Sequence, residues 1–191
     1  MALCLTHAAA GYLVYEAARP AGRHSPALLA TAVVLANAPD VDFVPGLVTG
    51  APASFHRGVT HTLLAALVVG LAAAAVAWWR RQSPRGPLWW GAFAAAAYAS
   101  HLLVDFLAVD AVAPHGARFL WPLSHEFYHA GLDWFDEILI DPRSRTGFVW
   151  SLLTPAALVA WAQEVVRLAL VVAAVGVVRI LARSRLPQFA E

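Results

Sequence analysis

The sequence has little charge and almost no cysteine. Only 13% of its 191 residues are charged, every basic residue is Arg, and Cys4 is the one cysteine. Soluble domains carry about 25% charged residues, so a chain that is 60% hydrophobic is too apolar for disorder or for an ordinary soluble enzyme. One cysteine excludes an internal disulfide and a cysteine-based zinc site. The net charge of +1 gives no electrostatic basis for a nucleic-acid partner, and we expect none.

What the sequence does contain is a series of long apolar stretches. They cover residues 24–39, 61–79, 88–109, 146–163 and 165–182. Alternation with a period of two residues does not persist in any of them, which indicates helices rather than strands. The longer stretches approach the roughly 20 residues that a helix needs to cross a bilayer. We therefore predict an all-α fold, a polytopic helical membrane protein with a metal site at one end of the helix bundle.

The same stretches suggest one domain. We predict a single membrane-embedded domain over residues 1–191, in which a motif-bearing core covers about 5–125 and C-terminal helical stretches cover 146–182. Glu164 and Arg167 separate the two C-terminal stretches. The pattern leaves open whether residues 148–182 cross the membrane once or twice.

Local signals predict where several helices begin or end. Ser25 and Pro26 are typical of a helix start, and Pro39 disfavours helix at the residue before it. Thr60 is the predicted N-cap of a helix that begins near His61. Gly58 would give the turn before that helix its freedom.

Four motifs carry the chemistry. They are SHLLVDF with His101 and Asp105, NAPDVDF with Asp40 and Asp42, FHRGVTH with His56, Arg57 and His61, and LTHAAAG with His7. His101 and Asp105 are four residues apart, so a helix places them on one face, and both are N/O ligands that zinc or manganese accepts. In an extended backbone Asp40 and Asp42 would point to opposite sides, so one is expected to bind metal and the other to orient a ligand or act as a base.

Each motif also has a purely structural interpretation. The pair of His101 and Asp105 could satisfy each other within a helical bundle, the segment around His56 could be a capped helix start at the membrane interface, and His7 could be a buried hydrogen-bonded histidine. Ionisable side chains inside a membrane are costly and often functional. The joint presence of four His and three Asp in these motifs favours a shared cation.

The arginines have a distribution of their own. Groups of Arg lie directly before the stretch 24–39, between the stretches 61–79 and 88–109, and at the end of the stretch 165–182, and by the positive-inside tendency they face the cytoplasm. Alternating helix direction then places the His and Asp motifs together at the opposite, extracytoplasmic side. The Arg groups are Arg19 and Arg23, then Arg80, Arg81 and Arg85, and finally Arg179, Arg183 and Arg185.

At these motifs the sequence resembles the YdjM-like family, small bacterial inner-membrane proteins described as LexA-regulated, membrane-bound, predicted metal-dependent hydrolases. The resemblance covers roughly residues 5–125. It is carried by His7, PDVD at 39–42, HRGVTH at 56–61, HLLVD at 101–105 and FLWPLS at 119–124. It implies a multi-pass protein of the bacterial inner membrane with a metal-dependent hydrolase activity.

More distantly, the order of the motifs is similar to that in the zinc-dependent phospholipase C and P1 nuclease group. That likeness implies metal ligand roles for His7, Asp40, His56 or His61, His101 and Asp105, with Asp105 as a bridging carboxylate. The group has further His and Glu ligands, for which this chain offers only His115, His125 and His129, at a different spacing. These three could form an additional metal site, but solvated loop positions are the favoured interpretation.

Together these features predict a hydrolase that uses water activated by one or two divalent ions, zinc first and manganese second. The predicted ligands are His7, Asp40, His56, His61, His101 and Asp105. Asp42 would act as base or orient a ligand, and Arg57 would stabilise developing negative charge. The expected partners are membrane lipids and a phosphoester or lipid-linked substrate. The alternatives are a divalent-metal or proton transporter and a structural membrane protein in which His–Asp pairs join helices.

Overall fold

The computed structural model describes residues 4–20, 23–81, 85–108, 115–131, 141 and 144–184. Within these ranges the chain is mostly helical, and its only extended pairing is an isolated bridge between Ala117 and Tyr128. The predicted all-α class is therefore confirmed. The helices are α1 (Cys4–Ala18), α2 (Pro26–Asn37), α3 (Phe43–Thr49), α4 (Leu63–Arg80), α5 (Gly86–Leu107), α6 (Arg145–Ser151) and α7 (Pro155–Ser184), with 3₁₀ turns at Ala38–Asp42, Pro52–Phe55 and Val59–His61.

Four of the described helical segments are long and apolar enough to cross a membrane. They are Pro26–Thr49, Leu63–Arg80, Gly86–Leu107 and Pro155–Ala182. In the C-terminal region, residues 145–151 form the short helix α6 and α7 runs without a break through the boundary at Glu164, so this region offers one span. Glu164 does not interrupt that helix, because its side chain is buried and bonded to the start of α1.

The predicted ends of α2 are confirmed, but the predicted cap of α4 is wrong. Ser25 accepts a hydrogen bond from the Leu28 amide at the start of α2, and the helix gives way to the 3₁₀ turn at Ala38, directly before Pro39. Helix α4 is capped by Thr62, whose hydroxyl accepts from the Ala65 amide at 3.0 Å. Thr60 lies in the 3₁₀ turn Val59–His61, two residues before the cap, and its hydroxyl donates to the Asp42 carboxylate.

The turn before α4 also differs from expectation. Arg57, and not Gly58, takes the left-handed conformation, with φ of 62° at Arg57 and −79° at Gly58. Asp40 and Asp42 lie in a 3₁₀ turn rather than in extended backbone. That turn places both carboxylates beside His61, with Asp40 near its Nε2 atom and Asp42 near its Nδ1 atom.

Small residues allow the helices to approach closely. Gly11 of α1 lies against the backbone of Ala32 and the side chain of Ala36 in α2, and Gly70 of α4 lies against Gly91 of α5; an added Cβ would meet a neighbouring atom at 2.8 Å at Gly11 and 2.9 Å at Gly70. Such contacts stabilise helix pairs where lipid offers no hydrophobic drive. The large apolar side chains of α4 and α7 point outward instead, as expected of surfaces that face lipid.

This packing gathers one set of helix ends. The starts of α1 and α4 and the ends of α2 and α5 meet at one end of the bundle. Part of the chain after α5 covers this end, since Phe119 is buried and its carbonyl accepts from the Leu63 amide at 2.9 Å. The backbone of Ala130 likewise bonds to Phe106 at the end of α5. All four motifs found in the sequence lie at this end.

Candidate metal centre

The structure brings the six predicted ligands together from five separate segments. Two groups of potential ligand atoms each lie within 4.8 Å of one another: His7, His101 and Asp105 in the first, and Asp40, His56 and His61 in the second. The first group joins α1 to α5. The second joins the 3₁₀ turn after α2 to the segment before α4. The helical spacing of His101 and Asp105 places both side chains in the centre, as their positions four residues apart predict.

The two groups are continuous, and four atoms at their junction have the spacing of a metal coordination shell. His61 Nε2 and His101 Nε2 are 3.2 Å apart, and they lie 3.5 Å and 3.3 Å from Asp105 Oδ2. Each lies 3.6 Å from Asp40 Oδ1. Ligands about 2.0–2.2 Å from a tetrahedral zinc ion are separated by about 3.3–3.6 Å. Five of the six distances among these four atoms are thus close to those expected for the ligands of a tetrahedral zinc ion.

The outer ring nitrogens of His61 and His101 each have a hydrogen-bond acceptor. His101 Nδ1 lies 2.8 Å from the Ala36 carbonyl, so its proton is on Nδ1 and Nε2 is unprotonated. His61 Nδ1 lies 3.1 Å from Asp42 Oδ2, so Nδ1 keeps a proton and Nε2 is the nitrogen that a metal ion would take in exchange for a proton. A partner on the outer nitrogen that fixes the tautomer is typical of metal-binding histidines.

Asp42 holds the second group in place. One of its oxygens lies 3.1 Å from His56 Nδ1, and the other accepts from the Arg57 amide at 3.1 Å and the Thr60 hydroxyl at 2.9 Å. With His61 Nδ1 as a further neighbour, both oxygens are fully engaged. Asp42 is therefore placed to orient two imidazoles, and it has little capacity left to act as a base.

Several atoms of the centre lack the hydrogen bonds that buried polar atoms normally make. Both oxygens of Asp105, both ring nitrogens of His7 and Oδ1 of Asp40 are buried with no hydrogen-bond partner among the described residues. His7 stacks on His101 with ring centroids 3.7 Å apart, and its Nε2 lies 3.6 Å from Asp105 Oδ1. Unsatisfied nitrogen and oxygen acceptors around one point are the donor set of a divalent cation, so the residues present fit a metal ion.

The pKa values of His56 and His61, which lie between two spans, follow the same charge pattern. Burial alone would lower the pKa of His61, but the carboxylates of Asp40 and Asp42 raise it to about 9. Burial lowers the pKa of His56 although Asp42 opposes the change. The centre thus attracts positive charge at the position of His61, as a proton or as a metal ion that takes its place.

The centre is reached from one side. The side chain of Asp40 is 20% exposed and that of His56 is 10% exposed, whereas His7, His61 and His101 are fully buried. Phe43 covers one face of His56, with ring centroids 4.1 Å apart. Arg57 follows His56 in the chain and is half-buried, and its guanidinium donates to the Gly116 carbonyl at 3.4 Å.

The structure does not bring the remaining histidines into this centre. His115 and His129 are exposed, and their rings are 5.9 Å apart. His125 is exposed in a segment without helix, so the helical spacing considered for His125 and His129 does not apply. Within the described ranges, these three do not form a group that could hold a metal ion.

Three supporting residues were missed in the sequence. Thr60 donates to Asp42, Tyr98 donates to the Thr60 carbonyl at 2.7 Å, and Glu164 accepts from the Thr6 amide. Tyr98 lies three residues before His101, so its place on the same helix face was a usable signal. The contact between Thr6 and Glu164 has no local signal because it joins residues 158 apart.

Comparison with known proteins identifies a family for this chain but no related protein of known structure. No curated protein and no solved structure matches the chain, so the distant likeness to the phospholipase C and P1 nuclease group gains no support from these comparisons. A family model described as YdjM inner membrane protein matches residues 1–186. That match covers nearly the whole chain, the last third included, and the chain belongs to the YdjM inner membrane protein family.

Proposed function

We propose that this protein is a membrane-bound metal-dependent hydrolase acting on a phosphoester or lipid-like substrate. The proposal depends above all on one observation: the Nε2 atoms of His61 and His101 and the carboxylates of Asp40 and Asp105 converge with separations of 3.2–3.6 Å. Two carboxylates and two imidazoles that converge in a buried space attract positive charge, which a proton on His61 supplies in the absence of metal and a divalent ion would supply more fully. The proposed cation is zinc or manganese, in one or two copies.

The chain's residues divide the work as follows. His61, His101, Asp40 and Asp105 would hold the ion, and His7 and His56 flank it as further ligands. A divalent ion in such a site supplies Lewis acidity, which polarises a substrate oxygen and favours ionisation of water near neutral pH. Asp42 would hold the rings of His56 and His61 in position. Because both of its oxygens are already hydrogen-bonded, this role fits Asp42 better than that of a general base.

Arg57 is the proposed contact for substrate charge. Its left-handed backbone conformation turns its amide toward Asp42 and places its guanidinium beside Gly116, near the accessible side of the centre. A guanidinium is a planar donor suited to phosphate oxygens. It would stabilise negative charge as the reaction proceeds.

The surroundings of the opening support an amphiphilic substrate. Large apolar side chains flank the segments that carry Asp40 and His56, and all of them are about half exposed or more. Such a surface suits acyl chains, while Arg57 suits an anionic headgroup. The flanking residues are Val41, Val44, Phe55 and Val59.

We further propose that the centre faces the extracytoplasmic side. Arg19, Arg80, Arg81 and Arg179 lie at the end of the bundle opposite the metal centre, and arginines near span ends favour the cytoplasm. A reporter active only outside the cytoplasm, fused after residue 50, should therefore be active. Activity of a cytoplasmic reporter at that position would contradict this orientation.

The test of the function combines metal analysis with turnover. Purified protein in detergent should contain zinc or manganese and should hydrolyse a phosphodiester reporter. The variants His101→Ala and Asp105→Ala should lose both properties, while His125→Ala, which alters an exposed histidine outside the centre, should keep both. Unchanged metal content in the first two variants would refute the assignment. Flux of zinc or manganese into proteoliposomes without hydrolysis would instead favour the transporter alternative.

A further inference from the structure

A buried carboxylate of the C-terminal helix reaches the start of the first helix. Glu164 lies in α7, is 3% exposed, and its Oε2 accepts a hydrogen bond from the Thr6 amide at 3.2 Å. Thr6 lies in the first turn of the described helix α1, directly before His7. The contact thus links the last third of the chain to a residue of the metal centre.

The first turn of a helix has amide groups without partners in the helix itself, and a carboxylate there satisfies a donor and opposes the positive end of the helix dipole. The first turn of α1 has few other polar anchors. The Thr6 hydroxyl and both ring nitrogens of His7 are buried with no hydrogen-bond partner among the described residues. The position of the His7 ring therefore depends on the backbone of this turn and on its stacking with His101.

We propose that Glu164 is a positioning residue for the metal centre: by holding the first turn of α1, it fixes His7 against His101 and Asp105. The importance of Glu164 for catalysis rests on the proposed function, whereas its effect on the position of His7 does not. The contact that carries this effect is the hydrogen bond to the amide of Thr6, the residue directly before His7.

The chain offers a matched control at the other end of the same helix pair. Arg179 of α7 forms an ion pair with Glu16 of α1 and donates to the Glu16 carbonyl. Removing Arg179 loosens α7 from α1 as well, but far from His7. A difference between changes at Glu164 and Arg179 therefore separates positioning of His7 from general loosening of the two helices.

The experiment measures the reactivity of individual histidines in the metal-free protein. Wild type and variants in detergent with a chelator are treated with diethyl pyrocarbonate, and modification of His7 and His101 is measured by mass spectrometry. In Glu164→Ala the modification rate of His7 should rise several-fold while that of His101 stays near the wild-type value, because opening is confined to one helix turn. Glu164→Gln, which keeps an acceptor oxygen, and Arg179→Gln should both resemble wild type.

A zinc titration of the same variants gives a second readout. Glu164→Ala should weaken zinc binding by about 10–100-fold, the usual effect of losing a residue that positions a ligand. Glu164→Asp, whose shorter side chain withdraws the acceptor from Thr6, should shift both readouts in the same direction if Glu164→Ala does not fold. The proposal is refuted if His7 stays protected in these variants, or if Arg179→Gln exposes His7 equally. If His7 behaves as expected but wild type hydrolyses nothing, the hydrolase assignment fails and the positioning role stands.

Discussion

The change of Asp105 to Asn tests the metal centre most directly. Asp105 is 6% exposed, and its two oxygens lie 3.3–3.6 Å from the Nε2 atoms of His7, His61 and His101. The amide has nearly the same shape but lacks the negative charge and presents one nitrogen to these atoms. The substitution therefore removes a ligand with little change in packing.

The expected size of the effect follows from linkage. At a free zinc concentration 100 times the dissociation constant, binding stabilises the folded protein by about 2.7 kcal/mol. Loss of an outer partner of a ligand weakens metal binding by up to about 100-fold, and we expect at least that for a direct ligand. The same zinc concentration would then stabilise Asp105→Asn by no more than about 0.4 kcal/mol. For a chain of this length each kcal/mol corresponds to about 2–4 °C, so zinc should raise the melting temperature by about 5–11 °C in wild type and by less than about 2 °C in the variant.

Thermal unfolding in detergent, with chelator and with defined free zinc, measures these shifts. Glu126→Gln is the matched control, since Glu126 is an exposed acidic residue outside the centre, and it should keep the full shift. Retention of the wild-type shift by Asp105→Asn would refute the reasoning. So would loss of the shift in the control, because zinc would then be acting at the surface.

Two further predictions concern protons and packing. The pKa of His61 is raised to about 9, and a metal ion bound there must displace its proton. Zinc affinity should therefore rise as the pH increases from about 6 to about 9, and calorimetry in buffers of different ionisation enthalpy should detect the released proton. A zinc affinity that does not change with pH would contradict the assignment. Gly70→Ala should lower the free energy of unfolding by about 1–3 kcal/mol, because the added Cβ would lie 2.9 Å from the Gly91 carbonyl oxygen and from Ala95 Cβ. In the control Gly176→Ala the added Cβ meets nothing within 4 Å, so this variant should be as stable as wild type. Equal melting temperatures of the two variants would show that α4 and α5 do not pack this closely.

The parts of the structure that the sequence predicts are those set by short-range periodicity. The helical repeat places His101 and Asp105 on one face, and Ser25, Pro26 and Pro39 mark the ends of α2, because each acts within one turn of helix. Alternating helix direction also predicts that the motifs collect at one end. None of these signals requires knowledge of the rest of the fold.

The errors arise where a distant partner decides the local geometry. Thr60 is as good a cap as Thr62 by residue type, but Thr60 lies in a 3₁₀ turn and its hydroxyl bonds to Asp42, 18 residues away. Glu164 looks like a break between two apolar stretches until its contact with Thr6 is known. In both cases the deciding interaction is tertiary, so local sequence carries no trace of it.

The carboxylates around His61 and His101 also imply that the metal ion binds before an anionic substrate in the proposed reaction. Without a cation, three aspartates surround the cavity and an anionic molecule at its mouth meets repulsion. A bound divalent ion would offset two of these three negative charges, so the repulsion would fall and the Arg57 guanidinium could hold the same molecule. Asp40 and His56 are the partly exposed ligands, so the metal ion would leave on their side of the centre. An anion bound at the mouth would block that path, and the anion and the ion would each slow the release of the other.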